Sequence, residues 1–200
     1  MSVSRFLEKH FGGLQRIDEP AVKSITTEAP ILKTRSLTFE IFTDGACTDN
    51  GKKNAKGGYG VHFYSLKGQG DVSRPLFPQE NQTNNRAELR AIQSAMDYID
   101  KNKNTILAEY DQIRIWSDSE YSIHCLTKWA PGWRRNGWKK RDGSPVLNLD
   151  LIRSILDRLQ LNHQVTLQHV RAHQDSKQNE FPWSGNKVAD ELATRGIHSL

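Results

Sequence analysis

The chain is poor in sulfur and has no long apolar run. Its 200 residues include two cysteines, Cys47 and Cys125, and two methionines. Two cysteines outside any CxxC pair exclude a disulfide-stapled scaffold and a cysteine-ligated zinc site, and they fit a reducing compartment. No apolar stretch approaches the ~18 residues of a membrane span, and the mean hydropathy is −0.69. A helical membrane protein is therefore excluded. Internal repeats and low-complexity tracts are also absent. Nor is one sign of charge in large excess: 28 Lys and Arg stand against 23 Asp and Glu, a net charge of +5. That excess permits an anionic partner without demonstrating one.

What is present divides at about Leu37. Residues 1–36 carry Pro20, Pro30, mixed charges and one short apolar patch between Phe6 and Leu14. They lack the unbroken apolar stretch of a signal peptide, and Glu8, Asp18 and Glu19 interrupt what would be an acid-poor mitochondrial presequence. A flexible leader over 1–36 and one domain over 37–200 are expected. A domain of that size buries about two-thirds of its unfolded surface and needs no covalent staples.

From Leu37 to Asp44 apolar and polar residues alternate as in a half-buried strand, which Gly45 is expected to end. Gly58–Tyr64 and Val72–Phe77 read as two further strands, joined by turns at Asn50-Gly51 and Lys67-Gly68. Leu89, Ile92, Met96 and Ile99 have the spacing of one buried helix face, with Thr83 and Asn84 as capping residues ahead of it. Ile113–Ser117 is a fourth strand and Val165–Val170 a fifth. Helices are expected over Ser119–Lys128, after Asn148 and Asp150, and over Asn186–Gly196. A three-stranded antiparallel meander followed by strand–helix alternation predicts an α/β fold: a five-stranded mixed sheet flanked by helices.

Four acids interrupt this pattern. Asp44 and Asp118 stand at expected strand ends, where chemistry gathers in α/β sheets. Glu88 continues the inward row 88, 92, 95, 99 of its helix, and Asp190 shares a face with Ala193 and Ile197. Each alone has an ordinary explanation as a turn residue or a helix-dipole partner. Four together are harder to explain so, because converging carboxylates repel unless divalent cations hold them, and hard oxygen ligands suit Mg²⁺ or Mn²⁺.

Five segments carry a resemblance: Thr43-Asp-Gly-Ala46, Gly57-Gly-Tyr-Gly60, Thr83–Leu89, Ser117-Asp-Ser119 and Gly185–Ala193. In this order they resemble the successive motifs of type 1 ribonuclease H, over about residues 37–198. Trp129–Trp138 is similar to the basic protrusion of the cellular enzymes. The resemblance implies a ribonuclease H-like fold with two Mg²⁺ ions (Mn²⁺ as a substitute) held by Asp44, Glu88, Asp118 and Asp190. It further implies endonucleolytic hydrolysis of the RNA strand of RNA–DNA hybrids, leaving 5′-phosphate and 3′-hydroxyl ends. It gives His173 a part in proton transfer or product release, Asn50, Asn84 and Asn85 contacts across the minor groove, and Thr83 and Asn148 a DNA phosphate.

Arg134, Arg135, Lys139, Lys140 and Arg141 lie within eight positions, among Trp133 and Trp138 and close after Trp129. Such a segment neutralises phosphates and offers aromatic faces, and the resemblance places a DNA-strand channel there. Against this stands a solvated basic loop whose tryptophans merely anchor it. Two departures from the family pattern stand out: Asn81 where relatives often carry arginine, and the long 174–184 loop, expected to make His173 mobile and to gate product release. A non-catalytic module of the same fold would need one of the four acids lost. An integrase or exonuclease would arrange its acids differently. A monomer with no obligate protein partner and no membrane association is expected, at an intracellular site, nuclear or cytoplasmic, with an organellar one left open.

Overall fold

The computed structural model describes residues 36–172 and 180–199. The expected leader, except for Ser36, lies outside the described residues, as does His173. Five strands form one sheet: β1 Thr38–Thr48, β2 Lys56–His62, β3 Val72–Pro75, β4 Gln112–Ser117 and β5 Val165–His169. Their order is β3-β2-β1-β4-β5. The pairs β1–β2 and β2–β3 are antiparallel, whereas β1–β4 and β4–β5 are parallel. The meander and the mixed sheet are thus as expected.

Helix α1, Asn84–Glu109, begins where Thr83 accepts a hydrogen bond from the Arg86 amide at 3.3 Å. Its row Leu89, Ile92, Met96, Ile99 is fully buried against Phe39 and Ile41 of β1 and Ile113 and Ile115 of β4. Complete burial of such a side chain stabilises the fold by about 1.5–3 kcal/mol. Helix α4, Leu149–Leu161, adds Leu151, Ile152 and Ile155 to the same core. Helix α5, Trp183–Gly196, packs on β1, β2 and β3. It comes so close that a Cβ on Gly60 would stand 2.4 Å from the Ala189 carbonyl oxygen.

Several expected boundaries move, each for a physical reason. Gly45 does not end β1, which runs on to Thr48 paired with Lys56. Asp44 is therefore a mid-strand residue opposite Gly60, not a strand end. Gly45 is instead a close-approach glycine, since a Cβ there would lie 2.2 Å from the Glu88 amide nitrogen. The helix expected over 119–128 is three pieces: α2 Glu120–His124, a π-helical turn Cys125–Trp129 and α3 Ala130–Arg135. Pro131 has no N–H for the Thr127 carbonyl and its ring crowds that turn, so the Ala130 amide reaches back to Cys125. α5 starts three residues before the expected Asn186, because Gly185, which weakens the helical signal, is seated on the Phe42 ring. No helix among the described residues is long and apolar enough to cross a membrane.

Candidate active site

Asp44, Glu88 and Asp118 each offer a carboxylate oxygen within 4.8 Å of the others. Asp44 comes from the middle of β1, Glu88 from the first turns of α1 and Asp118 from the residue after β4. The absence of a side chain at Gly45 lets the α1 backbone meet β1 and so brings Glu88 to Asp44. Asp190, on α5, is exposed, and its charge acts on the Asp44 carboxyl. The fold thus brings Asp44, Glu88 and Asp118 together, with Asp190 acting on the cluster through Asp44.

The electrostatics are those of an unneutralised anionic site. Burial, then the charges of Asp118 and Asp190, pushes the Asp44 carboxyl well above the usual range. Burial and the Asp44 and Asp118 charges do the same to Glu88. Asp44 accepts one hydrogen bond, from the Gly45 amide at 2.8 Å. Glu88 Oε1 accepts from the Asn84 side-chain nitrogen Nδ2 at 3.4 Å, while its buried Oε2 has no hydrogen-bond partner. Two buried acids with an orphaned oxygen and, among the described residues, no cationic partner fit a hard divalent cation.

Asp118 is held from two sides that the sequence did not flag. The His169 ring nitrogen Nε2 lies 3.2 Å from the Asp118 carbonyl oxygen. Asn186, one turn before Asp190 on α5, donates to Asp118 Oδ2 at 3.1 Å and is itself 7% exposed. Asn186 appears in the sequence as the start of a helix, and only tertiary packing turns it toward a carboxylate.

The other expected site residues divide into groups. Asn50 Oδ1 accepts from the Asn84 amide at 3.2 Å, so the β1–β2 turn and the start of α1 meet near Glu88, with Asn85 exposed beside them. Thr83 caps α1. Asn148 immediately precedes α4, as expected, with φ of 55°; its carbonyl accepts from the Ile152 amide at 3.0 Å, and its side chain makes no cap. Trp129, 36% exposed, stands 5.6 Å from Trp133 and 6.2 Å from Tyr121, ring to ring. Trp133 and Trp138 are half-buried and pack on the core, Trp138 between Arg134 and Arg153. Trp133 and Trp138 thus have the anchoring position the sequence left as an alternative, and Trp129 is the most open ring. Arg134, Arg135 and Lys139 are exposed and Lys140 partly so.

A family model described as RNase H matches residues 37–198. A ribonuclease H of Schizosaccharomyces pombe is 40% identical over 156 residues, covering 78% of this chain and 52% of that protein. The chain thus spans about half the length of that relative. A ribonuclease H of Cupriavidus necator is 35% identical over 161 residues, which is 80% of this chain and 95% of its own length. The solution structure of the PFV RNase H domain superimposes with a TM-score of 0.61 at 25% identity, covering 82% of this chain and 96% of that one. Sequence motifs, sheet order and converging acids agree with these likenesses, and the chain belongs to the RNase H family.

Proposed function

We propose that this chain is an endonuclease that hydrolyses the RNA strand of RNA–DNA hybrids at the Asp44–Glu88–Asp118–Asp190 cluster. The observation that carries the reading is the buried pair Asp44 and Glu88, both with raised carboxyl pKa values and with Asp118 within 4.8 Å. A protein gains nothing in stability from such repulsion, so the arrangement is accounted for by a ligand that neutralises it.

Asp44, Glu88, Asp118 and Asp190 would hold two Mg²⁺ ions, with Mn²⁺ as a substitute. Bound there, such ions acidify a nucleophilic water and stabilise charge on the departing 3′ oxygen, giving 5′-phosphate and 3′-hydroxyl ends. The chain's own residues then do the positioning. Asn186 and the Asp118 backbone contact to His169 set the direction of the Asp118 carboxylate. Asn50, Asn84 and Asn85, near Glu88, offer amides that both donate to and accept from a 2′-hydroxyl, the group that marks RNA. Trp129, Arg134, Arg135, Lys139 and Lys140 supply an aromatic and cationic wall for the DNA strand, which Trp133 and Trp138 hold against the core, and Thr83 and Asn148 supply a contact to one of its phosphates. His173 is assigned to proton transfer or product release, for which a group titrating near neutrality is suited. The protein is proposed to act as a monomer.

The test is cleavage of an end-labelled RNA–DNA hybrid beside double-stranded RNA and double-stranded DNA, with and without Mg²⁺. Cleavage of the hybrid RNA strand alone, dependent on Mg²⁺ and abolished by Asp44→Asn, is expected. Equal cleavage of all three substrates, or an unaffected variant, would overturn the reading.

A further inference from the structure

Arg86 stands two residues before Glu88, and its side chain is only 10% exposed. It joins three segments of the chain. Its Nε donates to Glu80 Oε1 at 2.7 Å, in the loop ahead of α1. Its Nη1 and Nη2 grip the two oxygens of Asp150, in the first turn of α4, at 3.0 and 2.7 Å. This planar two-point grip is one that a lysine cannot reproduce. The same Nη1 lies 3.4 Å from Asn148 Oδ1.

That last contact is long for a hydrogen bond, yet it decides which way the Asn148 amide faces. A guanidinium has donors and no acceptor, so only the amide oxygen can turn toward it. The NH₂ group must then face away. Asn148 is free to be oriented in this manner because its side chain makes no cap on α4. The outward NH₂ group is a donor suited to an anionic oxygen.

We propose that Arg86 is a positioning residue that fixes the Asn148 amide as a hydrogen-bond donor toward a nucleic-acid phosphate. Because Arg86 and Glu88 share the first turns of α1, the same clamp fixes the distance between that phosphate contact and the carboxylate cluster. The inference rests on the function proposed above. A purely structural role for the network, holding α1 to α4, is the reading it must be separated from.

The experiment measures KM and kcat on one defined hybrid, together with hybrid binding by fluorescence anisotropy in the presence of a chelator. The variants are Arg86→Lys, Asp150→Asn, Asn148→Ala, Asn148→Asp and the double variant R86K/N148A. Asp150 is 61% exposed at its side chain, so Asp150→Asn folds even where a change at buried Arg86 does not. Arg86→Lys and Asp150→Asn are expected to raise KM and the hybrid Kd by about 5- to 20-fold, the order of one missing charge-assisted hydrogen bond. Asn148→Asp keeps the shape and an oxygen for Arg86 but loses the donor, so it should bind as poorly as Asn148→Ala. In the double variant, R86K should add less than about twofold to N148A, since the two act through one contact. Additive losses, normal binding by Asn148→Asp, or lower thermal stability with unchanged KM and Kd would overturn the proposal. Should the wild-type chain bind the hybrid without cleaving it, the functional reading fails while the binding measurements still decide the clamp.

Discussion

Asp44 and Glu88 carry like charges, are each about 5% exposed, and lie with Asp118 inside 4.8 Å. Their carboxyl pKa values are raised by burial first, then by the charges of Asp118 and Asp190 on Asp44 and of Asp44 and Asp118 on Glu88, so the folded chain binds protons that the unfolded chain has already released. Stability then falls as pH rises from the unfolded carboxyl range, near 4, toward the raised folded values. The repulsion is complete only above the raised folded values. Asp44→Asn is accordingly expected to abolish cleavage while raising the thermal midpoint of the cation-free protein by several degrees at pH 7–8. Relief of a buried like-charge contact is worth on the order of 1–3 kcal/mol, and the gain should vanish below about pH 4. Calorimetry of both proteins across pH, in chelator, checks the sign. Asn186→Ala should act differently, because it frees the Asp118 carboxylate without removing a charge. A 10- to 100-fold loss of Mn²⁺ affinity, the usual effect of removing a residue that orients a ligand, is expected by titration calorimetry.

At the level of elements, the site depends on two bare surfaces. Gly45 lets the start of α1 touch β1, and Gly60 lets α5 lie on β2. Gly45→Ala would place a methyl group 2.2 Å from a backbone nitrogen that cannot step aside without moving Glu88. The expected result is a loss of about 1–3 kcal/mol in stability, as for overpacking, together with a fall in kcat of more than tenfold. Urea denaturation and steady-state kinetics measure the two effects separately. An alanine accepted at wild-type stability would mean that α1 can shift, and the Glu88 placement would then have to differ. The break between α2 and α3 has a comparable role: the π-helical turn at Cys125–Trp129 leaves Trp129 exposed, while Trp133 and Trp138 tie the basic segment to the core.

Over the whole molecule, charge is divided between an acidic cluster and a basic segment. The net charge of +5 is spread thinly, yet Arg134, Arg135, Lys139, Lys140 and Arg141 fall within eight residues at the end of α3 and just after it. If these cations neutralise phosphates, hybrid affinity falls linearly with the logarithm of salt concentration. Replacing Arg135 and Lys139 by alanine should lower that slope by about 0.7–0.9 for each phosphate left without its cation. Both residues are exposed, so folding stability should change by less than about 0.5 kcal/mol. Binding measured at a series of KCl concentrations checks this. An unchanged slope would assign the basic segment to structure alone.

The sequence by itself determined the elements whose signal is local and the acids whose residue type is informative. Alternation in β1 and β4, the 3–4 spacing of Leu89, Ile92, Met96 and Ile99, and the Thr83 cap are written in neighbouring residues, so strands, helix and mixed-sheet class were legible. Asp44, Glu88, Asp118 and Asp190 were legible because two acids at expected strand ends and two on inward helix faces are conspicuous together. Only the tertiary structure decided what depends on partners distant in the chain. Gly45 resembles a strand breaker until α1 is placed against it, and Gly185 resembles a helix breaker until it meets the Phe42 ring. Asn186 becomes a partner of Asp118 across 68 residues, and Arg86 joins Asp150 across 64. The physical reason is common to all four. Periodicity reports which face of an element is buried, whereas close approach and hydrogen-bond direction exist only once two elements have been brought together.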